Sequence, residues 1–305
     1  MAVAGAGGTA VAAEPVATAP RKPVISVAAR FHDPAMPMLV VAHRACHNPA
    51  PRHGLPDTMP ENSIAAIERC IVLGVDLAEV DVRRTSDGYL ILMHDDSVDR
   101  TTDGRGKVAD LSLAAIQALR LRANEGGPDA AVTALHVPTL DEVLRVARGR
   151  ILLNLDVQAG LYADTVAAVL RNGQRDQIVV KQPAGTGSPV LADTPPFDAV
   201  PFMPIPALPG DLPAIVRTQI GGRHRPVAIE MPRLSAPALS SIAEVARPAK
   251  VRLWVNTLWE GFVAGVGGDE DALRDPDRVW GRLRRDGVTV IQTDEPEALL
   301  RYLAR

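Results

Sequence analysis

Two histidines each stand directly after an apolar run in this sequence: His43 follows Leu39-Val40-Val41-Ala42, and His94 follows Leu90-Ile91-Leu92-Met93. An imidazole titrates near neutral pH. A pair can therefore share a proton-transfer reaction, one activating an attacking hydroxyl or water and the other protonating a leaving alkoxide. Between them, Glu79 and Asp81 flank Val80 in a strand-like run, and period-2 geometry puts both carboxylates on one face. Aimed into an interior, they would repel and lose hydration, a cost that a hard divalent cation removes by taking their oxygens as ligands. Asp156 ends another apolar run and offers a third oxygen. Arg44 adds a planar fork of donors matched to nonbridging phosphate oxygens. Together these residue types suit cleavage of a phosphodiester held on a metal ion. The plainer reading of Glu79 and Asp81 is a surface pair bridged to Arg83 or Arg84. His47, His53, His136 and His224 are taken as ordinary structural histidines.

Such residues need a scaffold that gathers strand ends. From Met38 onward, short Val/Ile/Leu-rich runs alternate with helical patterns, the rhythm of βαβ units on a parallel sheet. The runs are 39–42, 77–82, 90–94, 151–157, 178–181, 202–208, 227–231, 253–256 and 288–293. Nine runs compete for eight barrel positions, and 202–208 or 227–231 is expected to be the irregular one. Helices are expected over 62–74, 139–147, 162–172, 277–286 and 295–303, with Gly74 as the stop of the first. Residues 84–88 leave room only for a tight turn. Segment 95–137 reads as a small insertion after the third strand, and the proline-rich 182–213 as a loop at the mouth. The expectation is an α/β fold, a distorted (β/α)8 TIM-type barrel over 38–305. In such a barrel, reactive groups lie at the C-terminal strand ends. On that rule strand four contributes Asn154, Asp156 and Gln158, and strand five contributes Lys181.

A net charge of -3 and a pI near 6.2 provide no broad positive field, so nucleic acid is excluded as a partner and phosphate must be met by local cations. A small-molecule phosphodiester fits this balance. No apolar run reaches the roughly 18 residues of a membrane span. Cys46 and Cys70 cannot form a disulfide framework; a single bridge stays open, and Cys70 is read as a buried thiol. Residues 1–37 are read as an extension, disordered or processed. Ala10-Val11-Ala12 looks like a signal cleavage site, but no basic segment precedes it. The compartment stays open between cytoplasm and, for a signal remnant, periplasm or exterior. Oligomeric state is not legible.

The order of motifs is informative. His43-Arg44-Ala45, Pro60-Glu61-Asn62-Ser63, Glu79-Val80-Asp81-Val82, Thr85-Ser86-Asp87-Gly88, His94-Asp95 and Asp99-Arg100-Thr101-Thr102-Asp103-Gly104 resemble the glycerophosphodiester phosphodiesterase family. Val137 to Leu144, the Asn154/Asp156 strand, Trp254 and the closing 287–297 are similar to further landmarks of that family. The resemblance implies His43 and His94 as acid/base pair, Glu79 and Asp81 as ligands of Ca2+ or Mg2+, and Arg44 as a phosphate contact. It also implies hydrolysis of deacylated phospholipids to glycerol 3-phosphate and an alcohol. Asp156 completes the expected ligand set. Glu61 and Asn62 are read as an orienting pair beside the site. Trp254 is assigned either to stacking on the alcohol or glycerol moiety or to the core.

Three positions depart from the family pattern. Ala45 replaces a glycine, and Asp156 and Gln158 stand where the family commonly has glutamate and lysine. Lys181 is expected to replace the missing lysine, and Gln158 is kept as a substrate contact. These departures leave alternatives: a phospholipase C- or D-like activity, another sugar or inositol phosphodiesterase, or a non-catalytic binding barrel.

Overall fold

The computed structural model describes residues 26–32 and 37–304. The strands, in chain order, are β1 (Leu39–Ala42), β2 (Leu77–Arg84), β3 (Leu90–Leu92), β4 (Leu152–Val157), β5 (Ile178–Ala184) and β6 (Phe202–Pro206). They continue with β7 (Ala228–Glu230), β8 (Leu234–Ser235), β9 (Arg252–Asn256), β10 (Val263–Ala264) and β11 (Val290–Thr293). Eight run parallel, in the order β6-β5-β4-β2-β1-β11-β9-β7. A backbone hydrogen bond from Val227 to Phe202, 3.0 Å, bridges the seam between β7 and β6, so the barrel is nearly closed. This is the TIM-type (β/α)8 barrel.

The supernumerary run is neither 202–208 nor 227–231, both of which form barrel strands. It is 90–94, because β3 folds back antiparallel on β2 with Arg84 opposite Leu90. The tight turn dictates this. Tyr89 N–H donates to Thr85 Oγ1, Gly88 adopts φ 90°, and five residues cannot carry a crossover helix. For the same reason 182–213 is not all loop; β6 lies within it.

The helices are α1 (Val27–His32), α2 (Ile64–Leu73), α3 (Leu113–Ala118), α4 (Leu140–Ala147) and α5 (Tyr162–Arg171). They continue with α6 (Leu212–Ile220), α7 (Ala236–Ala246), α8 (Asp269–Arg274), α9 (Arg282–Arg285) and α10 (Pro296–Leu303). Local chemistry sets their ends: Ser63 accepts from Ala66 N–H and Gly74 closes α2 at φ 75°, while Thr139 and Glu142 form a capping box on α4. Helices α6 and α7, absent from the sequence expectation, pack on β6 and on β9 respectively, and on each other. The 95–137 insertion has its own core, in which Val98, Val108, Ile116 and Leu121 pack on Ile91 and Met93.

Strand alternation divides the apolar residues into two layers. Val40, Val80, Leu155, Val180 and Ile291 face the helices, whereas Leu39, Val41, Leu77, Leu152, Val179, Met203, Trp254 and Val290 fill the barrel's lower interior. Helix α1 closes this floor. Phe31 is buried and stacks on Trp254 with ring centroids 6.4 Å apart, and Arg252 donates to the Phe31 carbonyl. The packing therefore starts ahead of the boundary at residue 38; residues 1–25 lie outside the described residues. Phe31→Ala is expected to cost about 3 kcal/mol in denaturant unfolding, as a large buried ring does. An unchanged midpoint would mean that residues 26–32 are not part of the barrel.

Candidate active site

The alternation that buries Leu39, Val41 and Leu77 continues upward to His43, Glu79 and Asp81, and on neighbouring strands to Asn154, Asp156, Lys181, Glu230 and Asn256. The barrel interior thus turns from apolar to polar halfway up. Ligand oxygens of Glu79, Asp81 and Asp156 lie within 4.8 Å of one another. Beside them the Lys181 ammonium is 3.1 Å from Asp156, 3.4 Å from Glu230 and 4.0 Å from Glu79. Asn256 donates to Glu230.

Burial and mutual repulsion raise the carboxyl pKa values of Glu79 and Asp81. Asp156 moves the other way because Lys181 lies against it. Lys181 itself is driven upward: burial opposes its charge, but Glu230, Asp156 and Glu79 outweigh it. Four carboxylates against Lys181 and Arg44 leave a charge of -2, and Arg44 is itself shared with Glu61. The buried Asn154 amide oxygen, on the register partner of Glu79, accepts no hydrogen bond among the described residues. Hard oxygens, a residual double negative charge and an unused carbonyl fit a hard divalent cation.

His43 Nδ1 lies 2.9 Å from Asp294 Oδ1, and the same oxygen is 3.1 Å from His47 Nε2. Asn124 holds the other nitrogen of His47 at 2.6 Å. Asp294 is kept low: burial opposes its charge, but bonds from both imidazoles prevail. His47 is correspondingly raised; burial disfavours its cation, and Asp294 overcomes that. His43, His47 and Asp294, with Glu125, form a second convergent set. Across the site, His94 pairs through Nδ1 with Asp95 Oδ1 at 2.8 Å, while the Met93 N–H bond to the Asp81 carbonyl carries His94 to the carboxylates. His94 is half exposed, with 44% of its side chain accessible, whereas His43 is buried.

The loops here are locked by strained backbone. Of the five non-glycine residues with positive φ among those described, four surround the site: Arg44, Ala45, Asn62 and Asn124. Arg44 N–H donates to Glu79, Asn62 N–H to the Arg44 carbonyl, and Asn62 brackets Asp81 by donating to its carboxylate and accepting from its backbone. Glu61 receives both Arg44 and Arg100. Cys46 and Cys70 form a disulfide with Cα atoms 5.2 Å apart, so Cys70 is not a free thiol, and the bond ties the His43 loop to α2.

The structure thus gathers His43, Arg44, Glu61, Asn62, Glu79, Asp81, His94, Asp156 and Lys181 at one end of the barrel. Gln158 sits on the exposed rim beyond β4, where its backbone N–H donates to Val82 and its carbonyl accepts from Leu161. Trp254 must be corrected. It has no exposed surface and lies in the floor against Phe31, two residues below Asn256, so it cannot stack on a ligand. Asp294, His47 and Glu230 were missed. The strand-end rule reaches Asp294 after β11 and Glu230 on β7; nothing in the sequence separates His47 from the other structural histidines.

The raised acids have a measurable signature. Asp269, buried under Asp294 and bonded to Thr257, is pushed up to about 7 by burial. An acid with a raised folded pKa keeps a proton that the unfolded chain has released, so stability declines as pH rises from the unfolded value through the folded one. Without cations, the melting temperature is expected to fall between about pH 4 and pH 7. Millimolar Mg2+ or Ca2+ should flatten the upper part of that decline by binding ionised Glu79 and Asp81. An identical profile with and without cation would sink the ligand assignment.

Comparison with known proteins agrees with this geometry. Residues 52–173 match the model of the glycerophosphoryl diester phosphodiesterase family, and residues 203–303 match a domain of unknown function. A glycerophosphodiester phosphodiesterase of Caldanaerobacter subterraneus subsp. tengcongensis is 38% identical over 127 residues, 41% of this chain and 47% of that protein. The chain therefore matches about half the length of that relative. Among solved structures, a glycerophosphoryl diester phosphodiesterase of Parabacteroides distasonis superposes with a TM-score of 0.71 at 21% identity, covering 92% of this chain and 93% of that one. An Oleispira antarctica phosphodiesterase, in complex with the product sn-glycerol-3-phosphate, gives a TM-score of 0.60 at 17% identity over 88% and 98% of the two chains. With its barrel, its ordered motifs and these matches, the chain is similar to the glycerophosphodiester phosphodiesterase family over residues 52–173 and shares the barrel of its solved members.

Proposed function

We propose that this protein hydrolyses glycerophosphodiesters to glycerol 3-phosphate and an alcohol. The observation that carries the reading is the placement of two imidazoles, His43 and His94, beside one three-carboxylate cluster. Each has its Nδ1 turned to a carboxylate, Asp294 or Asp95. Each Nε2 is then left to face the substrate, the division of roles that a carboxylate-backed histidine permits.

Arg44 holds a nonbridging oxygen of the diester, its guanidinium steadied by Glu61. Glu79, Asp81 and Asp156 would hold a divalent cation such as Ca2+ or Mg2+, which when bound would supply positive charge against the charge developing on phosphorus-bound oxygen. One imidazole takes the proton of the attacking water as its oxygen bonds to phosphorus. The other gives its proton to the alkoxide oxygen as the phosphorus–oxygen bond to the alcohol breaks. Lys181 supplies beside Asp156 the positive charge that the family's strand-four lysine would bring. The product complex of the Oleispira antarctica protein, built on the same fold, is consistent with glycerol 3-phosphate as the phosphate-bearing product.

His43→Ala and His94→Ala are each expected to lower kcat by about 100- to 10,000-fold, the usual contribution of a positioned general acid or base, with melting temperatures near wild type. Release of glycerol 3-phosphate, coupled to a dehydrogenase, reads this out. Chelation should abolish turnover, and Mg2+ or Ca2+ should restore it. Activity untouched by chelator and by both histidine substitutions would overturn the mechanism. Lys181→Ala should lower kcat/KM about 10-fold or more, the scale of removing a buried charge partner. Unchanged KM and turnover would remove Lys181 from the site.

A further inference from the structure

Two loops rise from the strand ends that carry Glu230 and Asn256. The first pairs with the second through β8 and β10, Leu234 opposite Val263, and Leu234 N–H donates to the Phe262 carbonyl at 3.0 Å. The second is pinned from behind. A Cβ on Gly268 would fall 2.4 Å from the Trp259 backbone, so only glycine allows this close approach. The loops are therefore built in place. Where they meet, the Arg233 guanidinium lies 5.4 Å from the Trp259 ring centroid and 5.5 Å from that of Phe262, and those rings are 4.9 Å apart.

Three features of this cluster point to a ligand. Trp259 is 47% exposed, a large ring left open to solvent beside the mouth. Arg233 is also exposed, and among the described residues no carboxylate lies within ion-pair distance of it. It is held by ring faces while its donor fork stays free. The cluster is near the chemistry, since Arg233 is three residues beyond Glu230 and Trp259 three beyond Asn256. Three residues span at most about 11 Å, and Glu230 and Asn256 are themselves joined at 3.0 Å next to Lys181.

We propose that Arg233, set on Trp259 and Phe262, is a specificity site for the leaving alcohol, and that it selects diesters whose alcohol carries a further anionic oxygen group, a phosphate or carboxylate. This rests on the proposed hydrolase reading. A diester bound at the carboxylate cluster directs its alcohol to the open C-terminal mouth, where a guanidinium fork can clamp two anionic oxygens and the indole can cover the alcohol's carbon face. A quaternary ammonium group is disfavoured there, because the Arg233 charge lies against both rings and would repel it.

The test compares glycerophosphoinositol 4-phosphate with glycerophosphoinositol on the full chain in Mg2+. Wild type is expected to favour the phosphorylated substrate in kcat/KM by about 10- to 100-fold, the scale of a charge-assisted contact, mostly through KM. Arg233→Ala should collapse the ratio toward one, and Arg233→Lys should restore it only in part. A second readout needs no turnover: inositol 4-phosphate should quench the exposed Trp259 in wild type and not in Arg233→Ala, with Trp259→Phe fixing which indole reports. If neither diester is cleaved but quenching depends on Arg233, the hydrolase reading fails and the anion site stands. If Arg233→Ala leaves both ratio and quenching unchanged, the site is overturned. It is equally overturned if that substitution lowers only co-sedimentation with phosphatidylglycerol vesicles, which would make the patch a membrane contact.

Discussion

A buried ammonium among carboxylates governs the upper half of this barrel. Lys181 is almost wholly shielded from solvent and touches Glu79, Asp156 and Glu230. Removing such charges from water costs several kcal/mol per ion unless partners are supplied. The surrounding architecture supplies them. Arg44 N–H and both ends of the Asn62 amide serve Glu79 and Asp81, and Asn256 serves Glu230. These donors can aim inward only if the loops adopt uncommon backbone, which is why Arg44 and Asn62 take φ of 49° and 54°. That strain costs roughly 1–3 kcal/mol per residue, less than leaving buried carboxylates without partners.

The same economy of partners appears on the opposite wall. One oxygen of Asp294 serves both His43 and His47, and Asp269 receives the Asp294 N–H from beneath. A second imidazole on that oxygen does more than fill space. Asp294 favours the charged form of His47, whose pKa it raises against burial, while the same oxygen orients the His43 ring. His94 has no equivalent, since Asp95 is shared with Arg100 instead, and it remains open to solvent. The two histidines therefore differ in exposure and in what else their carboxylates hold.

Much of this was legible because strand ends obey a simple rule. His43, Glu79, Asp81, Asp156 and Lys181 each follow or end an apolar run, and parity alone fixes which of them look inward. Where the rule failed, the reason was physical. The run 90–94 has the composition of a barrel strand, and only the five-residue turn before it excludes a parallel crossover. Leaving 227–231 as one of two candidates for the irregular run concealed Glu230. Trp254 was open between core and ligand because parity gives direction but not height; Asn256 above it takes the position that faces the site. His47 was invisible because its partners, Asn124 and Asp294, are distant in sequence. Helix α1 escaped because six residues carry no usable period, and its burial depends on a cavity that only the closed barrel creates.

The departures on β4 now have a structural sense. Leu155 pairs with Val180, so Asp156 and Lys181 stand level on adjacent strands. A lysine at position 158 would stand two residues higher, roughly 7 Å toward the mouth. Exchanging it for Gln158 while placing Lys181 on β5 lowers the fixed positive charge into the barrel, where the shorter Asp156 meets it at 3.1 Å. The rim at β4 is left neutral. Across the mouth, Arg233 between the β7 and β9 loops is the exposed guanidinium stacked on aromatic rings. On the proposed reading, moving one cation inward shifts the attractive field for an anionic alcohol from the β4 side of the mouth to the β7/β9 side, and would orient a bound diester across the barrel accordingly.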